Sequence, residues 1–230
     1  VSGYPIWFAW TAPILVGIAV NSLVGIIVAY AGIPSIVVTL GMMSILRGGL
    51  ISVTGGDWIT DMPEGFFLAQ QDFMGIRVPL LALIFFTLLM FYIMSNTTWG
   101  RSLYAIGGNP EAARTSGIDL KKGVVVAFAV HGMFVGLSTI LFATQLNIIQ
   151  STVPPNLELT VITASVIGGV SIMGGTGTVI GSSLATILFA AIGSSLIFTG
   201  VSAYWLRAIM GILILCTVLA DMARRRRVVS

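Results

Sequence analysis

Between Leu159 and Leu206 the chain contains no Asp, Glu, Lys or Arg, and the stretch from Val1 to Leu46 contains none either. A third, shorter run of this kind extends from Val78 to Gly100. A helix needs about 20 apolar residues to cross the hydrocarbon of a bilayer, so each run holds at least one crossing. A secretory signal has a much shorter apolar core, so these runs are spans and not targeting segments. Charged residues make up 8% of the 230 residues and hydrophobic ones 57%, whereas a soluble domain carries roughly 25% charged residues. So few charges cannot cover a surface facing water. In lipid the outward face must be apolar and each backbone polar group must be paired within the protein. The expected fold is therefore all-α, a polytopic transmembrane helix bundle forming a single domain over residues 1–230.

Seven spans are expected, at residues 5–31, 34–54, 78–95, 124–147, 159–173, 179–198 and 202–220. The fifth is short and rich in glycine, and reads as broken or partly re-entrant. Cytoplasmic loops of membrane proteins are enriched in Lys and Arg. Residues 99–123 hold Arg101, Arg114, Lys121 and Lys122, and the tail at 224–230 holds Arg224, Arg225, Arg226 and Arg227. Both segments are expected in the cytoplasm. Residues 55–77 hold four acids (Asp57, Asp61, Glu64 and Asp72) against Arg77 alone, and are expected outside. The four crossings between basic loop and basic tail have the even parity this demands. The same count puts Val1 outside, which leads to the expectation that further spans precede it. The arginine tail follows from this topology and from attraction to anionic lipid, not from nucleic-acid binding.

Several chemistries are excluded. Lys121 and Lys122 lack the glycine pattern of a phosphate-binding loop, so no nucleotide hydrolysis by that route is expected of this chain. One His and one Cys make a metal site improbable, and the lone Cys216 cannot form an internal disulfide. Every Asp falls in a loop or at a span end, against an intramembrane aspartyl protease. His131 reads as a packing or polar-lining residue, because no nucleophile motif accompanies it. A proton- or sodium-coupled carrier buries ionisable groups in its spans, and here Arg47 is the main exception. It either snorkels to the interface or lines a path.

The basic loop carries a short helix with clear punctuation. Asn109 suits the N-cap, Pro110 and Glu111 suit the first turn, and Gly117 suits the left-handed end. Within the spans, Gly132 with Gly136 and Gly177 with Gly181 have the spacing that lets helices approach closely. Neutral polar groups gather near the outer half, where Gln145, Asn147 and Gln150 lie at or just after the end of the fourth span; the acidic Glu158 opens the fifth. Asn21, Ser35 and Thr39 are candidate inward-facing groups. Amides and hydroxyls suit a neutral, hydroxyl-rich solute, and equally serve as interhelical glue.

Three runs carry a resemblance. AGIPSIVVTLGMMSILRGG (31–49), GRSLYAIGGNPEAARTSGID (100–119) and LELTVITASVIGGVSIMGGTGTVIG (157–181) resemble, in this order, segments of the permeases of bacterial ABC importers for monosaccharides, the ribose, rhamnose, xylose and autoinducer-2 group. The resemblance implies a bacterial inner-membrane transport subunit that is not itself an enzyme and binds no cofactor. It would work with a second permease copy or paralogue, two ATPase subunits that use ATP, and a periplasmic solute-binding protein. It implies that residues Asn109, Pro110, Glu111, Ala112, Ala113, Arg114 and Gly117 form the helix that docks on the ATPase. Asn21, Ser35, Thr39, Arg47, Gln145, Asn147, Gln150 and Glu158 remain candidates for the substrate path. It also implies about three spans ahead of this region. Two other classes stay open: a shortened chain that assembles without transporting, and an ion-coupled secondary carrier.

Overall fold

A computed structural model describes residues 5–60, 62, 65–73, 75–150 and 157–198, with Trp205, Ala208, Ile209, Gly211, Ile212 and Leu215 as isolated helical positions. Eight α-helices are named within it: α1 (Ile6–Ala31), α2 (Ser35–Thr54), α3 (Val78–Asn96), α4 (Thr98–Gly108), α5 (Pro110–Thr115), α6 (Leu120–Ala143), α7 (Leu157–Ile167) and α8 (Val179–Phe198). Two short antiparallel strands, β1 (Asp72–Phe73) and β2 (Ile76–Arg77), pair Asp72 with Arg77 and Phe73 with Ile76 ahead of α3. Among the described residues α1, α2, α3 and α6 are long and apolar enough to cross a membrane, while α7 and the run Val179–Ser195 of α8 are shorter apolar helices. The chain is an all-α polytopic membrane protein.

The chain divides into two compact units, residues 1–85 with 113–153 and residues 86–112 with 154–230. The first is organised by α1 against α6. Lipid supplies no hydrophobic drive between helices, so association rests on close packing, and small residues permit it here. Gly132 and Gly136 are buried in the seam. A Cβ on Gly17 would strike the carbonyl of Gly132, and a Cβ on Gly25 would lie 2.9 Å from Cβ of Phe128. At one end of the seam the ammonium of Lys121 stands 4.8 Å above the ring centroid of Tyr30. By contrast, α2 has no buried residue.

In the second unit α7 and α8 approach through glycine as well. A Cβ on Gly168 would lie 2.5 Å from Cα of Ser182. α7 stops at Ile167, where the N–H groups of Gly169 and Val170 turn back to the carbonyls of Val166 and Ser165. The residues up to Thr178 form an ordered loop. Its Gly174 and Gly175 lie against Gly107 and Gly108 at the end of α4, and the hydroxyl of Tyr104 donates to the carbonyl of Gly177 at 2.9 Å.

These boundaries amend the sequence reading in three places. The fourth span lies at Leu120–Ala143 and not at 124–147. Asp119 caps it by accepting from the N–H of Lys122 at 3.0 Å, so the lysines sit inside the first turn, and the amides after Ala143 belong to a turn. The fifth span ends at Ile167, six residues before the expected Met173. Residues 99–123 are not a loop with one helix, because α4 precedes α5. The seventh span at 202–220 lies outside the described residues apart from the isolated positions named above. Asp61, Glu64, Arg207, Cys216 and the basic tail lie wholly outside them.

Candidate functional site

Three groups of polar residues are fixed by the fold, and the first is α5. Thr97 caps α4 by accepting from the N–H of Gly100 at 3.1 Å. α4 runs to Gly108, and Asn109 starts the next helix at once, its Oδ1 accepting from the N–H of Ala112 at 3.0 Å. α5 ends in a paired closure in which Gly117 N–H donates to Arg114 O and Ile118 N–H to Ala113 O, both at 3.0 Å. That closure requires the left-handed backbone of Gly117, φ 82°, a conformation that a Cβ disfavours. Ala113 is buried, while Pro110, Glu111, Ala112 and Arg114 are exposed. A six-residue helix is too short to hold itself in water, so its two caps hold it. The result is a fixed knob with one acid and one base on its exposed side, suited to contact another protein.

The second group sits inside the α1–α6 pair. Asn21 Nδ2 donates to the carbonyl of Gly17 at 3.0 Å, and its Oδ1 lies 3.1 Å from Nδ1 of His131. At a rise of about 1.5 Å per residue, His131 is about 17 Å from one end of α6 and about 18 Å from the other. Asn21, a sequence candidate for the path, therefore meets His131, which the sequence reads as a packing or polar-lining residue.

The third group lies where α6 ends. Thr144 is fully buried. Its hydroxyl donates to Ile140 O at 2.8 Å and accepts from the N–H of Ala69 at 3.2 Å. This ties the 3-10 turn Leu68–Gln70 to the end of α6. Gln70 Nε2 then donates to Gln145 O at 3.2 Å and approaches Asn147 Oδ1 at 3.5 Å. Ile59 and Ile149 exchange backbone hydrogen bonds at 2.9 and 3.0 Å. A cleft of about 520 Å³ opens beside this clasp, lined by Ala69, Gln70, Arg77, Pro79, Leu80 and Gln145. Two carboxamides and a guanidinium against an aliphatic wall can hold a small hydroxylated ring, since they donate and accept without burying an acid. Replacing Thr144 with Val keeps the volume but leaves the Ala69 N–H unpaired, which costs ~1–3 kcal/mol. The expected result is a lower thermal midpoint in detergent and faster proteolysis of residues 57–73.

The other path candidates are not gathered into these groups. Thr39 spends its hydroxyl on Ser35 O at 2.9 Å, one turn back in α2. Ser35 and Arg47 lie exposed on the same helix, Gln150 follows the Ile149 bridge half-buried, and Glu158 sits half-buried in the first turn of α7. Gln70, Arg77, Thr144 and His131 were not singled out as site residues from sequence. From sequence, Arg77 serves only the topology argument. For His131 the usable signal was an ionisable group in the middle of an apolar span.

Comparison with known proteins gives a consistent picture. Residues 1–218 match the family described as branched-chain amino acid transport system / permease component. The autoinducer 2 import system permease protein LsrC of Salmonella paratyphi B is 34% identical over 221 residues, 96% of this chain and 64% of that protein. Its counterpart in Escherichia coli strain K12 is 33% identical over 96% of this chain and 65% of its own length. That of Enterobacter sp. is 31% identical over 96% of this chain and 64% of its own. The chain thus spans a little under two thirds of the length of these relatives. No solved structure matches it.

Proposed function

The chain belongs to the branched-chain amino acid transport system / permease component family, and on that premise we propose that it is the membrane-spanning subunit of an ATP-driven importer of a small hydroxylated solute, autoinducer 2 or a monosaccharide. It lies in the bacterial inner membrane with the basic segments at 99–123 and 224–230 in the cytoplasm. It works with two ATPase subunits, a second permease copy or paralogue and a periplasmic solute-binding protein, with anionic lipid against its tail. ATP is bound and hydrolysed by the partner subunits, and this chain contributes no catalytic step or cofactor.

The observation that carries this reading is α5. Its caps make it a stiff projection, with Glu111 and Arg114 exposed, in the segment whose Lys and Arg content marks the cytoplasmic side. A closing ATPase would press on this knob, which the chain places between α4 and α6, with Asn109 on one side and residues 116–119 on the other. The solute path then opens alternately to the two sides. Asn21, Ser35, Thr39, Arg47, Gln145, Asn147, Gln150 and Glu158 are its proposed polar contacts, with the Gln70–Gln145 cleft at the outer mouth.

Arg114→Glu reverses the charge at the knob's one base, leaving two acids on its exposed side, without touching its caps. The expected outcome is a loss of ATP-driven uptake of at least about tenfold, since reversing a charge at an interface costs more than about 1.4 kcal/mol, with the protein still present in the membrane at its normal level. Wild-type uptake by a fully assembled R114E complex would remove α5 from the coupling role.

A further inference from the structure

We propose that His131 is a solute-contacting residue, presenting Nε2 as a hydrogen-bond acceptor to a solute hydroxyl at the middle of the translocation path, with Asn21 as the residue that positions it. The inference rests on the importer reading above and adds a named site to it.

The orientation follows from hydrogen-bond chemistry. The carbonyl of Gly17 can only accept, so the nitrogen of the Asn21 carboxamide must face it. That leaves Oδ1, which also can only accept, towards His131. Nδ1 of His131 must therefore carry the proton, and Nε2 of the neutral ring is left with its lone pair. The ring is exposed, and Val135, Ser138 and Thr139 continue the same exposed face, while Gly132, Gly136 and Ile140 are buried on the other side of α6. Neither hydroxyl on that face serves the ring. Thr139 donates to Val135 O at 2.8 Å, and Ser138 stands two turns along the helix, about 10 Å away on the axis.

An acceptor held at mid-helix faces either hydrocarbon or something that donates a proton. Hydrocarbon is the costly choice, because an unpaired polar group there loses several kcal/mol. A donor is therefore required, and its class is set by the lone pair. A hydroxyl fits; a carboxylate would be repelled. A neutral polyol moving along the path meets that requirement transiently, which suits a site that must also release its solute.

The test uses the full chain assembled with its partner subunits in proteoliposomes, with Cys216 replaced by Ala. His131→Cys is treated with a charged, water-soluble methanethiosulfonate reagent, with Ile140→Cys as the buried comparison. Labelling of H131C but not I140C is expected, and its slowing by 10-fold or more excess of autoinducer 2 or D-ribose over the transport KM assigns the donor to the solute. Labelling that neither sugar slows, together with a cysteine cross-link from H131C to a neighbouring subunit, assigns the donor to a partner helix and overturns the proposal. No labelling of H131C overturns it too. If H131C fails to assemble, Val135→Cys, one turn along the same face, reads the same access to water. Uptake separates the two conclusions: a wild-type complex that moves neither sugar counts against the importer reading, whereas normal uptake with an unlabelled position 131 counts against this site alone. For Asn21→Leu the expected result is a KM raised about tenfold, the loss of one oriented hydrogen bond, at an unchanged maximal rate. A general loss of packing would instead lower both rate and yield.

Discussion

Gly136→Leu is expected to abolish the α1–α6 pair, and with it the folded chain. A Cβ at position 136 meets only backbone: the Pro13 carbonyl oxygen at 2.6 Å, the Ile14 nitrogen at 2.8 Å, and Ile14 Cα closer still. Side chains can rotate away from an intruder, but a helix backbone cannot, so the two helices must separate along their length. Overpacking a core costs ~1–3 kcal/mol where side chains can adjust, and here they cannot. The loss should exceed that range and appear as failure to recover monodisperse protein in detergent. Gly41 and Gly48, where an added Cβ meets nothing within 4 Å, provide the comparison. Gly48→Leu is expected to leave the detergent-solubilised chain intact. Equal recovery of G136L and G48L would mean that the seam does not hold the first unit together.

Gly175→Ala is expected to have the second largest effect. Its backbone is left-handed, φ 79°, which costs an L-residue with a Cβ roughly 1–2 kcal/mol. The new methyl would also lie 2.6 Å from Cα and 2.8 Å from N of Gly108, again backbone, adding ~1–3 kcal/mol of overpacking. The two terms act on one contact, that of the glycine loop with the end of α4. A fall in thermal midpoint together with new proteolysis within residues 168–178 would confirm it. A G175A protein as resistant as the wild type would show that the loop is not held by α4.

What could be read from the sequence was set by how local the cause is. Apolar runs decide whether a segment crosses lipid, so α1, α2 and α3 begin and end within a residue or so of their expected limits. α5 was legible because Asn109, Pro110, Glu111 and Gly117 each act within their own turn. α6 was displaced because Lys121 and Lys122 looked like the outside of a span. In fact Asp119 caps the helix before them, and lysines at a helix end beside Tyr30 need no burial. α4 went unread, since its glycines and Arg101 break an apolar run although Thr97 offers a cap. The site was less legible than the fold. Asn21 could be nominated as a polar group in a span, but its partner is 110 residues away. Nothing local distinguishes Gln145, which is clasped by Gln70, from Thr39, which bonds only its own helix. That choice depends on which faces meet, and neighbouring helices set it.

The separation of Asn21 from His131 also bears on how the chain is made. At a synthesis rate of roughly 5–20 residues per second, α1 is in place for about 5–20 s before the ribosome has produced the part of α6 that completes the pair. Throughout that interval the glycine face of α1 that meets α6 lacks that partner. The bond from the Asn21 side chain to Gly17 is made within α1 itself, so it forms as soon as that helix does. The side chain's oxygen and its second N–H then remain, and the oxygen waits for His131. The Asn21 carboxamide is thus partly satisfied before α6 arrives, which lowers the cost of inserting α1 ahead of the helix it pairs with.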